Sequence, residues 1–185
     1  MSKATPRGAT AKFAVGGKMQ GKKDLGLLAM SYGNVYVASV AMGADDQRTV
    51  RAFLEAEAYD GPSLIIAYSH CIAHGYDMVH GLAQQKAAVL AGAWPIFRYD
   101  PRLVAQGKPA LQLDCKPPSA TFKSYAYNET RYTMLAHAHP DAAAHALALA
   151  ERDIARRWRL YQHMAAFVAD APKPPAAETA EAPKS

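Results

Sequence analysis

The sequence predicts an α/β domain with a mostly parallel sheet, and three observations support this. Residues 34–40 and 63–68 are apolar and rich in β-branched side chains, which is typical of strands buried on both faces. Residues 47–59 between them have the periodicity of an amphipathic helix, so strand, helix and strand form a βαβ unit with two parallel strands. A longer amphipathic pattern that begins at Pro140 is the clearest helical element.

The N-terminal half divides into an arm and the βαβ unit. Residues 1–24 are rich in Gly, Lys, Ala and Thr and show no period, which predicts a long loop or arm. The short apolar run of residues 25–30 predicts one or two helical turns. Asp45 and Asp46 follow the first strand as candidate N-caps. We expect the helix of this unit to bury one apolar face, made of Val50, Phe53, Leu54 and Ala58.

The C-terminal half contains a third strand and two further helices. Residues 78–91 have a helical pattern that ends at Gly92, and residues 95–99 predict the strand. The Pro-rich stretch that follows, residues 101–118, predicts a loop with a short extended piece at residues 111–113. The last helix then carries one apolar stripe, made of Leu147, Ala150, Ile154, Trp158, Tyr161, Ala165 and Val168.

Charge spacing and composition complete this division of the chain. Asp153 and Arg157 lie four apart on the last helix and are expected to pair, which contributes about 0.3 kcal/mol. The Pro- and Ala-rich tail, residues 169–185, is expected to be disordered. The chain thus divides into a basic arm (residues 1–24), an α/β domain (residues 25–168) and this tail.

The composition excludes several classes of protein. The 185 residues are the length of one domain, and half of them are hydrophobic. No apolar run approaches the roughly 18 residues of a membrane span, and the N-terminus lacks the apolar region of a secretory signal. Two cysteines are too few for a disulfide framework, which predicts a reducing, cytoplasmic location.

The basic residues are concentrated near the N-terminus. The net charge is +5, and six basic residues precede the first acidic residue, Asp24. Such a segment could contact nucleic acid or phosphate. Phe13 is the only aromatic residue in it, whereas single-stranded nucleic acid is usually held by aromatic and basic side chains together. We therefore expect no nucleic-acid binding and interpret the segment as a solvated loop, or as one that packs on something outside this chain.

One local feature could carry chemistry: residues 68–75, which contain His70, Cys71 and His74 and directly follow the second strand. Ligands of open α/β sheets collect beyond the carboxyl ends of strands. Cys71 and His74 could bind zinc, but no second ligand pair follows. Cys71 could be a catalytic thiol, but no Asn or Asp partner pattern accompanies it. It could also ligate an iron–sulfur cluster or be a buried structural cysteine, and the residues alone leave these alternatives open.

The other histidines, the second cysteine and the N-terminal glycines show no pattern of a site. Gly16, Gly17 and Gly21 do not form a phosphate loop, because no strand precedes them and no Gly-Lys-Ser/Thr follows. Cys115 is interpreted as structural. The histidines outside residues 68–75 share no spacing and are interpreted as surface or core residues, namely His80, His137, His139, His145 and His163.

A series of collinear sequence blocks covers most of the chain. The longest reads EAEAYDGPSLIIAYS from Glu55 to Ser69. The blocks are residues 2–9, 11–14, 21–26, 36–44, 55–69, 94–101 and 129–132. They resemble one stretch of the pyruvate:ferredoxin/flavodoxin oxidoreductases. The resemblance runs from Ser2 to the region of Ala165, so only the Pro/Ala-rich tail lies outside it.

This resemblance implies a fold, an activity and a set of cofactors. Members of the family oxidatively decarboxylate pyruvate to acetyl-CoA with thiamine diphosphate and magnesium, and pass electrons through 4Fe–4S clusters to ferredoxin or flavodoxin. By resemblance, residues 25–168 are the second half of the Rossmann-like thiamine-diphosphate-binding domain, at the C-terminal end of the family's polypeptide. The implied partners are the rest of the enzyme or companion subunits, ferredoxin or flavodoxin, coenzyme A and pyruvate, and the complete enzyme is expected to be a dimer.

The family's functional residues carry over at one position. Cys71 matches the cysteine that ligates the cluster nearest the thiamine, where the family usually has proline in place of His70. The other three ligands lie earlier in the family's chain, and this sequence has no Cys-x-x-Cys. It also lacks the Gly-Asp-Gly segment and the Asn-Thr-Gly-Gly loop that bind magnesium and the diphosphate. We expect His70 to alter the loop backbone or to place a proton donor near the sulfur.

The resemblance therefore predicts an incomplete oxidoreductase that is inactive alone. Met1 falls directly after the position of the Asn-Thr-Gly-Gly loop, which suggests a truncated product or a misplaced start codon. The alternatives are a subunit of a split 2-oxoacid oxidoreductase and a non-catalytic binding module. A sheet cut between strands exposes an unpaired edge, so we expect poor solubility or self-association of the isolated chain.

Overall fold

The structure is a computed structural model that describes residues 4–12 and 14–168, so the predicted tail lies outside the described residues. Four strands form one sheet: β1 (Tyr36–Val40), β2 (Ser63–Ala67), β3 (Phe97–Tyr99) and β4 (Leu111–Leu113). The helices are α1 (Leu25–Met30), α2 (Asp46–Glu57), α3 (Gly81–Leu90), α4 (Phe122–Ala126), α5 (Thr130–Ala138) and α6 (Pro140–Ala166). Short 3₁₀ helices span Ile72–His74, Met78–His80 and Pro101–Gln106. This architecture confirms the α/β fold class and fits part of a Rossmann-like domain.

The predicted βαβ unit is present. β1 and β2 pair in parallel over their whole length, and α2 connects them across the sheet. Asp45 is the N-cap of α2, since its carboxylate accepts a hydrogen bond from the Arg48 backbone N–H at 2.9 Å.

The strand order is β2-β1-β3-β4, and two of its three pairs are antiparallel, contrary to the mostly parallel sheet that was predicted. The reason lies in α3, which begins and ends at the carboxyl edge of β1. The segment after α3 stays at this edge, because the Trp94 indole N–H donates to Val40 O and the Ser39 hydroxyl donates to Pro95 O. A parallel strand would require a crossover back to the opposite edge, so β3 runs antiparallel.

Helices cover both faces of the sheet. On one face, Tyr36, Ala38 and Val40 of β1 pack against Ala52 of α2. On the other face lie α1 and α6, whose Met30 and Tyr161 form a core with buried residues of the sheet, Val37, Phe97 and Leu111. The alternation along β1 therefore supplies two cores, and all five of its residues are buried.

The face that α2 buries is not the one predicted. Thr49 and Ala52 are buried, whereas Val50, Phe53 and Leu54 are each more than half exposed. The small side chains of Thr49 and Ala52 let the helix approach the sheet closely, and Glu55, which follows them along the helix, turns toward a buried arginine of β3. The large apolar residues of α2 are thus left facing outward in this chain.

The short C-terminal helices α4 and α5 pack against α6. The sequence pattern did not predict α4 and α5, which are short and weakly amphipathic. The predicted stripe of α6 is confirmed at Ala150 and Tyr161, which are buried, but α6 ends before Val168, which is half exposed. Among the described helices, none is both long and apolar enough to cross a membrane.

The N-terminal arm packs on these helices of the same chain, although we had expected it to be solvated or to need another part of a larger protein. Thr10 N–H donates to Arg131 O at 2.7 Å, and Ala9 is fully buried. Arg7 pairs with Asp153 of α6 at 2.8 Å. The expected Asp153–Arg157 pair is replaced accordingly, and Arg157 donates to the carbonyls of residues 92 and 93 instead.

We predict that the isolated chain self-associates through the side formed by β2 and α2. Within the described part of the chain, β2 pairs only with β1, so its outer edge is open, and the apolar face of α2 lies beside it. Replacing Phe53 with lysine should raise the monomer fraction several-fold in analytical ultracentrifugation, because a charge disfavours burial against a second copy.

The control for this prediction is Tyr32→Lys. Tyr32 is 77 % exposed and stands in the turn after α1, away from the apolar face of α2. The Tyr32→Lys substitution should leave the monomer fraction unchanged. A monodisperse monomer of the unaltered chain would contradict the prediction.

Candidate functional site

Cys71 lies on a loop that leaves the carboxyl end of β2. Cys71 is exposed and its backbone is extended. Its Sγ accepts a hydrogen bond from the Ala73 N–H at 3.4 Å, which caps the 3₁₀ turn Ile72–His74. The loop position predicted from the sequence is confirmed, and Cys71 is not part of a core formed by this chain.

The end of this loop is anchored to α5 through Gly75. Its carbonyl accepts hydrogen bonds from the backbone N–H of Thr130 at 3.0 Å and from the Thr130 hydroxyl at 2.5 Å. Gly75 has φ +77°, and a Cβ there would come within 2.5 Å of the Thr130 side chain. Only glycine therefore fits this close approach, and the loop that carries Cys71 is held at its far end.

His74 faces α5 and is held there beside a buried carboxylate. Its Nδ1 is buried without a hydrogen bond and lies 4.0 Å from Oε1 of Glu129. Burial, together with the guanidinium of Arg131, lowers the pKa of His74 below its usual value. A zinc site of Cys71 and His74 has no further ligands here, because no group of three or more His, Cys, Asp or Glu that could hold a metal occurs among residues 4–12 and 14–168.

His70 is turned toward α3. Gln85 Oε1 accepts from the Gly43 N–H at 2.8 Å, which orients the amide so that its Nε2 donates to Nδ1 of His70 at 3.0 Å. This network assigns the proton of a neutral His70 to Nε2. The imidazole also packs on Gly81, where a Cβ would come within 2.7 Å of the ring. His70 therefore fastens the start of the Cys71 loop to α3.

Cys115 packs against a different set of residues from the Cys71 loop. It follows β4, its thiol donates to Ile96 O at 3.5 Å, and it packs beside the apolar core around Val89. Burial raises the pKa of the Cys115 thiol. These contacts fit the structural role that we assigned to it.

A buried glutamate, missed by the sequence analysis, organises the helices next to the loop. Glu129 is fully buried and accepts from Nε of Arg131 at 2.5 Å and from Nε2 of Gln84 at 3.0 Å. Gln84 Nε2 also donates to the Tyr125 carbonyl at 3.1 Å. The only signal in the sequence was an acid and a base two residues apart among aromatic residues, which does not distinguish a buried pair from a surface one.

A cavity of about 930 Å³ is lined by residues of the arm, of α6 and of the end of β2. Aromatic side chains form much of one wall, including Tyr68, Trp94 and Tyr125. Basic side chains from three different elements converge on it, namely Arg7, Lys22, Arg131, Arg156 and Arg157. Sequence reasoning did not find it, because its walls come from segments far apart in the chain.

Among the basic residues of this cavity, Lys22 has a strongly lowered pKa. Its ammonium lies 4.7 Å from the centre of the Trp94 ring. Burial, followed by the charges of Arg157 and Arg131, lowers the pKa of Lys22 to about 8, with Lys18 acting in the same sense and Asp24 opposing. Lys22 thus binds its proton less tightly in the folded chain than in the unfolded chain.

We predict that Lys22 makes the free energy of unfolding increase between pH 8 and about 10.5. In this range the unfolded chain keeps the proton on Lys22, with its ordinary pKa of 10.5, while the folded chain has lost it, so higher pH favours folding. Lys22→Met removes this contribution. Urea unfolding should show Lys22→Met more stable than the unaltered chain at pH 7.5, with the difference shrinking at pH 9.5. An equal difference at both pH values would contradict this.

The surface around Cys71 is apolar and open. Ile72 and Val79 are 80 % and 84 % exposed, and Met42 and Leu82, on the neighbouring loop and on α3, are also more than half exposed. Adjacent exposed apolar side chains of this size are typical of a surface that another protein part covers. The Cys71 sulfur therefore opens onto such a surface.

Comparison with known proteins identifies the relatives of this chain. A pyruvate-flavodoxin oxidoreductase of Trichormus variabilis is 58% identical over 166 residues, which are 90% of this chain and 14% of that protein. The chain is homologous to part of the pyruvate-flavodoxin oxidoreductases. The pyruvate-flavodoxin oxidoreductase of Rhodospirillum rubrum is 53% identical and the pyruvate:ferredoxin oxidoreductase of Moorella thermoacetica 52% identical, each over 164 residues.

The homology with these oxidoreductases confirms the resemblance seen in the sequence blocks and is limited in extent. The chain spans 14% of the length of each of these relatives, although they cover 89% or more of the chain. No protein-family model matches the chain.

Proposed function

We propose that this chain is part of a pyruvate oxidoreductase and provides the Cys71 thiolate as one ligand of an iron–sulfur cluster. The observation that carries the proposal is the 58% identity over 90% of the chain with a pyruvate-flavodoxin oxidoreductase. Pyruvate, coenzyme A, ferredoxin or flavodoxin, and a dimeric state are proposed for the complete enzyme, as is a cytoplasmic location. The chain alone is proposed to be inactive, and the remainder of the enzyme, or companion subunits, would complete it.

The surroundings of Cys71 fit a single cluster ligand. Its Sγ is exposed beyond the carboxyl end of β2, and the exposed Ile72 and Val79 would help to exclude water from a cluster seated on them. A 4Fe–4S cluster commonly has four thiolate ligands, so the other three would come from outside this chain. When bound, the cluster would supply one-electron transfer.

The residues behind the loop would position this sulfur. His70 and Gln85 hold the loop at one end, and Gly75 and Thr130 hold it at the other. A loop held at both ends keeps the ligand oriented in the absence of the other ligands, which lowers the entropic cost of cluster binding. The same anchors make His70 a positioning residue rather than a proton donor to the sulfur.

The residues of this chain do not fit thiamine diphosphate or magnesium in the same way. The sequence lacks the two motifs that the resemblance associates with them, and the described residues contain no cluster of carboxylates for a metal. These cofactors are therefore proposed for the complete enzyme, bound mainly outside this chain.

The proposal predicts that Cys71→Ser removes one cluster from the assembled enzyme. The test is anaerobic purification of the affinity-tagged 185-residue chain from its native host, followed by iron analysis and electron paramagnetic resonance. We expect companion polypeptide with 4Fe–4S clusters for the unaltered chain, and one cluster fewer for Cys71→Ser, because serine is a poor replacement for the thiolate ligand.

Cys115→Ser is the matched control, since its thiol lies in an apolar core and is not placed at the site. This variant should keep the full iron content. Unchanged iron in Cys71→Ser would overturn the assignment of Cys71, and a chain that copurifies with no other polypeptide would overturn the proposal that a partner completes it.

A further inference from the structure

The outer face of α6 carries a line of basic side chains. Arg152, Arg156 and Arg159 are exposed and stand four and three residues apart, so they lie on the same side of the helix. The exposed His145 and His163 continue this line in both directions, and residues 145 to 163 span about 27 Å at the rise of an α-helix. The residues that α6 buries lie on the opposite side of the helix. The three arginines, here termed the basic line of α6, therefore face away from the core.

The charges of the basic line are not compensated within the described part of the chain. No carboxylate among residues 4–12 and 14–168 lies within salt-bridge distance of the three arginines. Asp153 is the only acidic residue three or four positions from any of them, and it pairs with Arg7 at 2.8 Å instead. Like charges four residues apart on a helix repel one another. The basic line therefore costs stability in the isolated chain, and a partner of opposite charge would remove this cost.

The kind of cation favours carboxylates as that partner. All three residues are arginine, whose planar guanidinium can bind one carboxylate through two parallel hydrogen bonds. Arginine is also enriched at protein–protein interfaces, whereas lysine is depleted there. Leu160, four residues after Arg156, is 41% exposed and adds apolar surface beside the line. This combination is typical of a surface that contacts another protein.

The same helix is less suited to nucleic acid or to a membrane. No aromatic residue stands at the positions of the line, where a base could stack between basic side chains. A helix that lies on a membrane inserts an apolar face into the lipid, but α6 uses its apolar stripe for the core of this chain. The outward side of α6 therefore offers charge to a partner and no large apolar face.

We propose that the basic line of α6 binds an acidic surface of a separate protein, with Arg152, Arg156 and Arg159 contacting its carboxylates. A charged surface suits a reversible complex, because the centre of a permanent interface is depleted of charged residues. Opposite charges also accelerate the encounter of two proteins. The surface lies on α6 and does not depend on the role proposed for Cys71.

The experiment uses the full 185-residue chain and a fluorescently labelled polyglutamate peptide of about 20 residues, which spans the line if helical. Fluorescence anisotropy should show binding at low salt that weakens steeply as the salt concentration rises. The double substitution Arg152→Glu with Arg159→Glu should weaken this binding at least ten-fold, since it reverses two of the three charges. Neither residue lines the cavity beside the arm, so the result does not report on an occupant of that cavity.

The matched control is Lys108→Glu with Lys116→Glu. These lysines are exposed on the two sides of β4, and the control changes the net charge of the chain by the same amount. It should keep polyglutamate binding within about two-fold of the unaltered chain, because attraction between exposed charges is strongest at short range. The α6 variant should melt at the same or a higher temperature, since a glutamate at position 152 would attract Arg156. Weaker binding without a lower melting temperature is not explained by unfolding.

Three results would overturn the proposal. The first is the absence of polyglutamate binding at low salt. The second is an equal loss of binding in the α6 variant and in the lysine control, which would show that only the net charge matters. The third is a single-stranded oligonucleotide, or vesicles of phosphatidylglycerol, that bind more tightly than polyglutamate and are released by the α6 substitutions. This last result would assign the basic line to phosphate groups instead of an acidic protein.

Discussion

Replacing Asp114 with asparagine is expected to lower the free energy of unfolding by about 3–5 kcal/mol. Asp114 is buried and accepts from Nε and Nη2 of Arg98 at 2.6 and 2.9 Å, and from Nη1 of Arg48 at 2.6 Å. Removing the negative charge leaves the Arg98 guanidinium buried with half its compensation. Urea or thermal unfolding measures the loss, which approaches the total stability of a small domain.

The ion pair has this large effect because it joins three elements. Arg98 on β3 also donates to both carboxylate oxygens of Glu55 on α2, at 2.6 and 2.8 Å, and to the Gln112 side chain of β4 at 3.0 Å. The hydrogen bonds to Asp114, followed by those to Glu55, raise the pKa of Arg98 still further above its usual value against the effect of burial, so Arg98 stays protonated. Arg98 therefore cannot lower the cost of its burial by losing its proton, as a buried lysine can.

Asp45→Asn is the matched control for this substitution. Asp45 also pairs with Arg48, at 3.1 Å, but the two side chains are 33% and 46% exposed. Exposed pairs contribute little, and asparagine is an equally good N-cap for α2, so the change should stay within about 1 kcal/mol. A loss below 1 kcal/mol for Asp114→Asn would contradict the interpretation of a buried, stability-critical pair.

Gly43→Ala is expected to destabilise the fold by about 3 kcal/mol, the upper end of the range for overpacking. A Cβ at Gly43 would lie 2.4 Å from the carbonyl oxygen and 2.7 Å from Cα of Leu82. Both are backbone atoms at the start of α3, which cannot rotate away as a side chain would. The loop after β1 or the helix must shift, and chemical unfolding would record the cost.

The consequence extends to the Cys71 loop, and a second glycine provides the control. The Gly43 N–H holds Gln85, which in turn holds His70, so Gly43→Ala should also increase hydrogen exchange in residues 68–75. A Cβ at Gly16 meets nothing within 4 Å, and its φ is not positive, so Gly16→Ala should be neutral or slightly stabilising. Equal effects of the two substitutions would rule out steric contact as the cause.

The sequence predicted the elements whose signals lie within one short segment. β1, α2, β2 and α6 follow from local periodicity and caps, and their predicted bounds agree with the structure to within a few residues. The place of Cys71 beyond β2 follows from the order of elements. Its proposed ligand role came from collinear resemblance to a family, since the pattern around it left four alternatives open.

Longer-range packing decided what local patterns could not. The direction of β3 depends on where α3 ends against β1, and the buried face of α2 depends on the small residues that fit the sheet and on a carboxylate needed by Arg98. Asp153 pairs with Arg7, which is 146 residues away, instead of with its helical neighbour. A partly buried partner in the folded chain competes successfully with an exposed pair worth a fraction of a kcal/mol.

The candidate sites divide in the same way. By itself the sequence determined the fold class, the loop that presents Cys71 and the family to which this chain is homologous, because these rest on neighbouring residues and their order. Only the tertiary structure decided how His70 and Gly75 fasten that loop, and which cations surround Lys22. Both depend on charges and contacts between segments more than ten residues apart, where burial, rather than spacing along the chain, sets the energy.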